Sequence, residues 1–557
     1  MIGFNYPSDT DSFPANYGET IYQTCLRTES DSINECVANK LELSRIQNAQ
    51  DSNTWFLIFS AALIFFMQAG FAMLCAGNVR IKNVGNTMLK NLLDACGAAI
   101  GFFTIGFAFA FGGQYETDAT TFIGTSNFLM QGLNGSGYAF WVFEFAFAAT
   151  SATIVAGTLA ERCQMAAYLC YSVLLTGFVF PVVAHAIWSN NGFLSPANVD
   201  PFLGVGAIDV AGSTVVHVTG GCTALFATII LGPRKGRFYD ARNNRLPRPK
   251  PFPGHSMALQ MLGTFILWFG WYGFNTGSTL TIISTSTLNS GHIAALAAVN
   301  TTLSAASGGI NALFTTLFIE ERLTGEAKFD LKKLMNGALS GLVAITAGCA
   351  VVEPWASIVI GFVGGWVYLL TSAWLLRRRI DDAVDAIPVH LFCGMWGTFA
   401  VGFLASPSRV MDLYGSDKHV GWFYSLGRNS FDANLLAAQV LCILFVIGWV
   451  FVLMFPFFIL LNYMGWFRAD SLEELVGLDI SYHGGQALAG DEVKLEYIEA
   501  FNRRKSRNPD QPLPDTAIAR RPDSNIQEIT NPYAAGDLSP EEEAGLEALD
   551  YSEDVDH

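Results

Sequence analysis

Two histidines stand at matched places in long apolar segments of the sequence. His217 lies eight residues after Asp209 in the segment DVAGSTVVH, and His390 lies eight residues after Asp382 in the segment DAVDAIPVH. Histidine titrates near pH 6.5, and its ring can both donate and accept a hydrogen bond, so two neighbouring imidazoles can share a proton and pass it on. Such a pair would suit a small, protonatable substrate.

Two other interpretations of the histidines have to be weighed. A lone histidine on an apolar face is often only a packing residue, although the matched spacing makes this less natural for two. A metal site would need further carboxylate or thiolate ligands, and no HExxH or CxxC pattern accompanies the pair. We therefore expect no metal, and the sequence indicates no cofactor.

The composition is that of a membrane protein. Of its 557 residues 51% are hydrophobic and 14% are charged, whereas soluble globular proteins carry about 25% charged residues. Mean hydropathy is +0.34. We predict an all-α polytopic membrane protein, not a soluble enzyme, with about eleven transmembrane helices. These helices are expected near 54–77, 87–112, 138–160, 165–188, 209–232, 256–277, 292–319, 334–352, 354–376, 387–405 and 434–463.

Loop charge predicts how these helices are oriented, because lysine and arginine are retained on the cytoplasmic side. The predicted positive loops lie at 78–90, 161–164, 233–250, 320–333 and 377–379, and they hold 18 lysines and arginines. The five loops between them hold three. This pattern places the N-terminus outside the cell and, with an odd number of helices, the C-terminus in the cytoplasm. The sequence contains no stripe of basic residues that would indicate binding of nucleic acid.

The histidine segments also predict an architecture. By the charge pattern the fifth helix enters from outside and the tenth from inside. Each histidine then lies roughly 12 Å from an opposite face of the membrane, at about 1.5 Å per residue. Both imidazoles meet near the middle of the membrane. This geometry predicts a 5+5 inverted repeat followed by one C-terminal helix. An ionisable group at that depth is costly unless it has a partner or lines a pathway, so both histidines are functional candidates.

Composition divides the chain into four parts. Residues 1–53 are predicted to form an extracellular segment, and residues 54–465 the transmembrane domain. Residues 466–502 are expected to form a cytoplasmic regulatory segment. Residues 503–557 are acidic, rich in proline and poor in aromatic residues, and are expected to be a disordered cytoplasmic tail.

Two features of the predicted external side are candidates for modification. Cys25 and Cys36 share the external segment, where oxidising conditions permit a disulfide. Asn134 opens an Asn-Gly-Ser sequon in a predicted external loop and is a candidate for glycosylation.

Seven stretches of the sequence, taken together, resemble one family of membrane proteins. They are FEFAFAATSATIVAGTLAER in the third helix, GTFILWFGWYGFNTGS in the sixth, and GAIDVAGSTVVH, GPRKGRF, GHSMALQMLGTF, VVEPWA and HLFCGMWG elsewhere. They are similar to the ammonium transporter family (Amt/MEP/Rh), and most to its plant-like eukaryotic branch. The resemblance covers roughly residues 54–490.

The resemblance implies an external vestibule that captures ammonium. Its positions in this sequence are Phe143, Phe147, Trp188 and Ser278. A small cation is attracted to an aromatic face by about 0.5–2 kcal/mol, and a hydroxyl can accept one of its N–H bonds.

The resemblance also implies a gated pore below the vestibule. Phe147 and Phe274 match the family's pair of stacked gating rings, and Trp271 is expected to line the pore above the two histidines. Asp209 matches the family's acidic residue beside the vestibule, which we expect to stabilise the site and not to bind the ligand directly. Asp382 is its counterpart before the second histidine.

Glu144 departs from the family's pattern, in which glutamine is frequent at this position. A carboxylate here could raise the local affinity for cations, or a partner could neutralise it. The sequence leaves both interpretations open.

The segment GLDISYHGGQAL at 477–488 resembles the family's cytoplasmic regulatory motif, with Ser481 in the place of a regulatory threonine. A kinase acting on Ser481 would add nearly two negative charges beside Asp479. In similar trimeric proteins this segment contacts the neighbouring subunit, so its displacement could close other pores. The alternative is that Ser481 merely fills a turn.

The resemblance implies a plasma-membrane ammonium transporter, a homotrimer in lipid with one pore in each subunit. Our hypothesis is that ammonium is captured as a cation, loses its proton near the phenylalanine gate and crosses as ammonia, with or without separate transfer of the proton. Two alternatives are an ammonium sensor or receptor that signals through its tail and an Rh-type gas channel. Trp188 and Ser278 argue against the gas channel.

Overall fold

The computed structural model describes residues 25, 33–114, 116, 119–240, 242–284, 290–483 and 502. Within these ranges the chain is almost entirely helical, with isolated bridges as its only β-structure. The predicted tail at 503–557, residues 484–501 of the predicted regulatory segment, and residues 1–24 and 26–32 of the predicted extracellular segment lie outside the described residues.

Eleven long helices follow one another in the described part of the chain. They are α1 (Ile33–Asn78), α2 (Ile81–Phe111), α3 (Ser136–Thr158), α4 (Met165–Trp188), α5 (Ser213–Leu231), α6 (Met257–Gly277), α7 (Ser290–Thr324), α8 (Leu331–Ile345), α9 (Pro354–Arg378), α10 (Ile387–Leu404) and α11 (Asn434–Tyr463). Nine of these described helices are long and apolar enough to cross a membrane, and α6 and α8 fall short of that length or hydropathy. The predicted all-α membrane fold is confirmed, with one long helix for each predicted span.

Helix boundaries differ from the predicted spans at several ends. Helix α1 has 46 residues and begins at Ile33, not near residue 54. At about 1.5 Å per residue it is roughly 69 Å long, more than twice the thickness of a hydrocarbon core. Its first part is rich in polar helix formers such as lysine, glutamate and glutamine, which continue the helix beyond the apolar span. The predicted extracellular segment therefore includes the start of α1.

Asp209 and Asp382 precede their helices and do not open them. Helix α5 begins at Ser213, and the carboxylate of Asp209 accepts four backbone N–H bonds from residues 212–215 at 2.7–2.9 Å. Asp382 accepts bonds from the backbone N–H groups of Val384 at 3.2 Å and Ile387 at 2.6 Å. The first turn of a helix leaves its N–H groups without partners, and both carboxylates supply acceptors for them.

Helices α5 and α10 also share an unusual first stretch. Each begins with six residues of wide π-helical turns, Ser213–Val218 and Ile387–Phe392, and each stretch carries one of the two histidines. The two stretches pack against each other in the middle of the bundle. Such turns are rare and often mark functional sites. The two helices therefore start alike, as an inverted repeat predicts.

Buried ion pairs hold together the links between helices at one end of the bundle. Glu161 of the α3–α4 link pairs with Arg80 of the α1–α2 link at 2.6 Å and with Arg234 of the α5–α6 link at 2.9 Å. Arg234 also pairs with Asp381 of the α9–α10 link at 2.8 Å. Lys332 at the start of α8 reaches the same α9–α10 link at 3.6 Å. The five loops predicted to be positive therefore gather at one end of the bundle, which we call the ion-pair end.

The ion pairs fix the charge of these side chains. Burial alone would raise the pKa of Glu161, but Arg234 and Arg80 outweigh it and hold the pKa below its usual value. Burial likewise opposes ionisation of Asp381, and Arg234 reverses the effect and lowers its pKa. Glu161 and Asp381 are therefore charged near neutral pH. Removal of one partner would leave a buried charge uncompensated, at a cost of about 3–5 kcal/mol.

Candidate functional site

A cavity of about 240 Å³ lies at the end of the bundle opposite the ion-pair end. Phe143, Glu144 and Phe147 of α3 line it together with Trp188 at the end of α4 and Ser278 just after α6. The structure thus brings together the four predicted vestibule positions and Glu144, the position that departs from the family's pattern. We call this space the outer cavity. A smaller cavity of about 60 Å³ is also lined by Trp188 and Ser278 and includes Asp209 in its wall.

Hydrogen bonds fix the orientation of two side chains in this wall. The indole N–H of Trp188 donates to the carbonyl of Asp209 at 2.7 Å, so the ring is held at the cavity. The hydroxyl of Ser278 donates to the carbonyl of Phe274 at 2.8 Å. Because its hydrogen is used in that bond, the oxygen of Ser278 can offer only lone pairs to a ligand. An aromatic face and a hydroxyl acceptor are the groups that a small N–H cation needs.

Phe147 and Phe274 are in contact behind the outer cavity. Their ring centroids lie 4.4 Å apart, and both side chains are almost fully buried. The resemblance to the family led us to expect stacked rings. The ring planes are instead tilted by 49°. A tilt avoids the repulsion between two facing π-clouds. The pair nevertheless fills the space between the cavity and the histidines.

The two predicted histidines lie side by side beyond this pair. Nδ1 of His217 lies 3.2 Å from Nδ1 of His390, and the ring centroids are 5.1 Å apart. The ring of His217 also stacks on Trp271 at 5.3 Å and on Phe274 at 5.5 Å. A hydrogen bond between the Nδ1 atoms requires one ring to carry the proton there and the other to lack it. Ring contacts therefore run without a break from the outer cavity to the histidine pair.

Nε2 of His217 is a buried polar atom without a hydrogen-bond partner among the described residues. A buried imidazole nitrogen usually has a partner, and an unsatisfied one can bind a small polar molecule. The line of buried rings therefore ends at an imidazole nitrogen that can form a hydrogen bond with a small polar guest.

A model of the Ammonium Transporter Family matches residues 54–488. The chain belongs to the ammonium transporter family. It is 42% identical over 452 residues to ammonium transporter 1 member 3 of Solanum lycopersicum, an alignment that covers 78% of this chain and 92% of that relative. The predicted family and its plant-like branch are confirmed.

Two solved structures of similar proteins support the same fold. One is a sensor Amt protein, with a TM-score of 0.65 and 31% identity, and the match covers 78% of this chain and 99% of that one. The other is Mep2 of Candida albicans, with a TM-score of 0.65 and 25% identity, and the match covers 80% and 93% of the two chains.

The two candidates for modification are the cysteine pair and the sequon at Asn134, and the structure of this ammonium transporter family member describes both. Cys25 and Cys36 are joined by a disulfide. Asn134 is exposed, lies two residues before the first residue of α3, and belongs to the wall of the outer cavity. Its side chain is open to solvent, as a glycosylation site requires.

The segment after α11 docks on the start of α2 in the same chain. It contains two short helices, α12 (Ser471–Val476) and α13 (Leu478–His483). The carboxylate of Asp479 accepts bonds from the backbone N–H groups of Gly85 at 2.9 Å and Asn86 at 2.7 Å. Ser481 is 6% exposed, and its hydroxyl faces the carbonyl of Leu478 at 3.5 Å. A negative charge on Asp479 thus sits where α2 presents free N–H groups.

Sequence reasoning missed several residues that position the site. One of them is Thr346, just after α8, whose Oγ1 accepts the indole N–H of the predicted Trp271 at 3.0 Å. The ion pairs of Glu161, Arg234 and Asp381 were also missed. The only indication in the sequence was that these residues lie between helices on the same predicted side. That alone does not predict an ion pair, because charged residues in loops are usually exposed to water. The docking of Asp479 on α2 had no signal in the sequence.

Proposed function

We propose that this ammonium transporter captures NH4+ in the outer cavity, removes its proton at the phenylalanine pair and conducts NH3 past the two histidines. The observation that supports this path is the unbroken line of ring contacts from Phe147 through Phe274 to His217 and His390. The capture step uses the aromatic faces and the lone pairs of Ser278.

Deprotonation follows from the surroundings of the path. Phe147, Phe274 and Trp271 are buried and offer no anionic group to a bare cation. Moving a charge through such an apolar passage is expensive, whereas neutral ammonia can pass and form hydrogen bonds with an imidazole nitrogen. The proton either returns to the external water or crosses separately through the histidine pair.

The function requires a membrane setting, which we propose as follows. The protein lies in the plasma membrane with its N-terminus outside and its ion-pair end in the cytoplasm, as loop charge predicts. It forms a homotrimer surrounded by lipid, carries a glycan on Asn134 and is regulated by a kinase at Ser481. Large apolar side chains on the outer face of α9 support contact with lipid or with another subunit. They are Trp355, Phe362, Trp366, Leu370 and Trp374.

A second candidate function is that of an ammonium sensor. The observation in its favour is the similarity to a solved sensor Amt protein. A sensor would bind ammonium at the same cavity and change the docking of its tail without appreciable flux. An Rh-type gas channel fits less well, because Trp188 and Ser278 form a site for a cation.

Transport by the purified protein in liposomes tests the proposal. We expect vesicles that contain the protein to accumulate labelled methylammonium or ammonium faster than empty vesicles, with saturation at increasing concentration. Electrical recording from the same vesicles distinguishes the two fates of the proton. A current during uptake means that the proton crosses separately, and uptake without current means neutral conduction. Binding of ammonium without any protein-dependent uptake would favour the sensor and refute the transporter.

Replacement of Trp188 tests the capture step. Trp188→Leu removes the aromatic face, and a loss of about 1 kcal/mol of cation–π attraction should raise the half-saturating ammonium concentration roughly fivefold. Methylammonium should be affected similarly, and the maximal rate should change little. Concentration dependence of uptake measures both quantities.

Trp188→Phe is the matched control, because it keeps an aromatic face and loses the N–H bond to the carbonyl of Asp209. It should raise the half-saturating concentration less than Trp188→Leu. Equal shifts in the two variants would mean that Trp188 acts through that hydrogen bond and not through its ring.

A further inference from the structure

Glu144 is a buried carboxylate whose charge has no visible compensation. Its side chain is 4% exposed, it lines the outer cavity, and its Oε2 has no hydrogen-bond partner in the described part of the chain. A buried carboxylate oxygen without a partner is costly, so it requires either a proton or a cation. The surroundings of Glu144 decide which of these the site can supply.

The outer cavity is a site for cations by its charge. Among the described residues that line it there is no lysine, arginine or histidine. Its other carboxylate belongs to Glu116, which is exposed and accepts a bond from the hydroxyl of Ser126 at 3.1 Å. The nearby Asp209 is saturated by its four backbone N–H bonds. Glu144 is therefore the carboxylate in the wall of this cavity that is buried and has an oxygen without a partner among the described residues.

Glu144 also lies at the right place on its helix. It precedes Phe147 by three residues on α3, and residues at this spacing lie on one face of a helix. A cation between Glu144 and the rings of Phe147 and Trp188 would contact an anion and aromatic faces at once. Ser278 would accept a further N–H bond from the same cation.

We propose that Glu144 is a direct ligand of ammonium, whose carboxylate accepts an N–H bond from the cation in the outer cavity. This inference rests on the proposed function and adds an ion pair to the aromatic and hydroxyl contacts. The ion pair holds the charged form of the substrate and is lost when ammonia leaves towards the histidines. Glu144 therefore determines the affinity for ammonium, whereas the pore determines the maximal rate of passage.

Glu144→Gln keeps the shape of the side chain and removes its charge. We expect the half-saturating ammonium concentration to rise about tenfold, with the maximal rate within about twofold of wild type, because a hydrogen bond from a charged donor is much stronger to a carboxylate than to an amide. Glu144→Asp, which keeps the charge on a shorter side chain, should give an intermediate value. The matched control is Asp200→Asn, in which the lost charge is exposed to solvent and lies outside both cavities. Its half-saturating concentration should stay within about twofold of wild type, because solvent and salt screen an exposed charge.

Thermal unfolding in detergent provides a measurement that does not depend on transport. Ammonium chloride should raise the unfolding temperature of the wild-type protein and of Asp200→Asn more than sodium chloride does at the same ionic strength. Glu144→Gln should lose most of this ammonium-specific shift. An unchanged shift together with an unchanged half-saturating concentration in Glu144→Gln would overturn the proposal. Failure of the wild-type protein to transport ammonium would instead refute the proposed function, and the unfolding shift would still test Glu144 as a ligand.

Discussion

His217→Asp is expected to lower ammonium uptake at least tenfold at normal surface expression. The shorter carboxylate cannot stack on Trp271 and Phe274, and it replaces an imidazole whose Nδ1 lies 3.2 Å from Nδ1 of His390. It would also place an anion in an apolar passage, where an uncompensated charge costs several kcal/mol. Each 1.4 kcal/mol added to the barrier lowers the rate tenfold. Uptake and current measured on the same cells give the change for each surface molecule.

His185 offers a matched control for this variant. It is as buried as His217, but its nitrogens face the carbonyl of Ala110 and the hydroxyl of Thr121, each at 2.8 Å, away from the histidine pair. His185→Gln should change the amount of folded protein and leave the half-saturating concentration and the ratio of current to uptake unaltered. Unchanged uptake and unchanged current in His217→Asp would contradict the role of the pair. A double replacement of His217 and His390 should cost little more than either single one, because the two rings act as a unit.

Ser481→Asp is expected to abolish uptake, through displacement of the docked tail. Ser481 is buried, and its hydroxyl faces the carbonyl oxygen of Leu478. A carboxylate there would meet that oxygen and the charge of Asp479, two residues away, which binds the backbone N–H groups at the start of α2. Both encounters are repulsive, and they favour release of α13 from α2. Uptake at verified surface expression measures the effect.

Coexpression tests whether the tail also acts between subunits of the proposed trimer. An equal mixture of Ser481→Asp and wild-type chains should lose more than half of its uptake, because one displaced tail would close neighbouring pores. Ser481→Ala, which removes the hydroxyl without adding charge, should transport normally. Normal uptake by Ser481→Asp would refute the switch. A loss that only follows the mutant fraction would confine the switch to single subunits.

The sequence predicted best what depends on spacing along a helix. The sequence predicted that His217 and His390 meet, because each follows an acidic residue by eight positions in a segment that enters the membrane from an opposite face. Their imidazoles are in contact in the structure. The vestibule was different, since nothing in the spacing of Phe143, Trp188 and Ser278 indicates that they meet. Their grouping in one cavity was expected only from the resemblance to a family whose motifs the chain contains.

Features that depend on distant contacts were not predictable. Glu161 and Arg234 are 73 residues apart, and Arg234 and Asp381 are 147 apart, so no local pattern indicates that they pair. The long start of α1 was not predicted, because hydropathy identifies only the apolar part of a helix. Polar helix formers continue α1 without adding apolar surface. The surroundings of Glu144 were also beyond one sequence, because whether a carboxylate has a partner is decided by all the elements that pack around it.

The ion-pair end constrains how the molecule can move. Arg234 joins Glu161 of the first five helices to Asp381 of the second five, so the two halves are clasped at one end by buried charges. Many transporters built from inverted repeats work by rocking one half against the other. Here that motion would break buried ion pairs at a cost of about 3–5 kcal/mol for each charge left alone. On the transport path that we propose, the halves therefore stay fixed, and passage depends on small rotations of Phe147 and Phe274 within a rigid frame. Rotations of side chains are far faster than movements of domains. On this proposal the molecule is a conduit gated by its aromatic rings, and it has no need to alternate between inward-facing and outward-facing shapes.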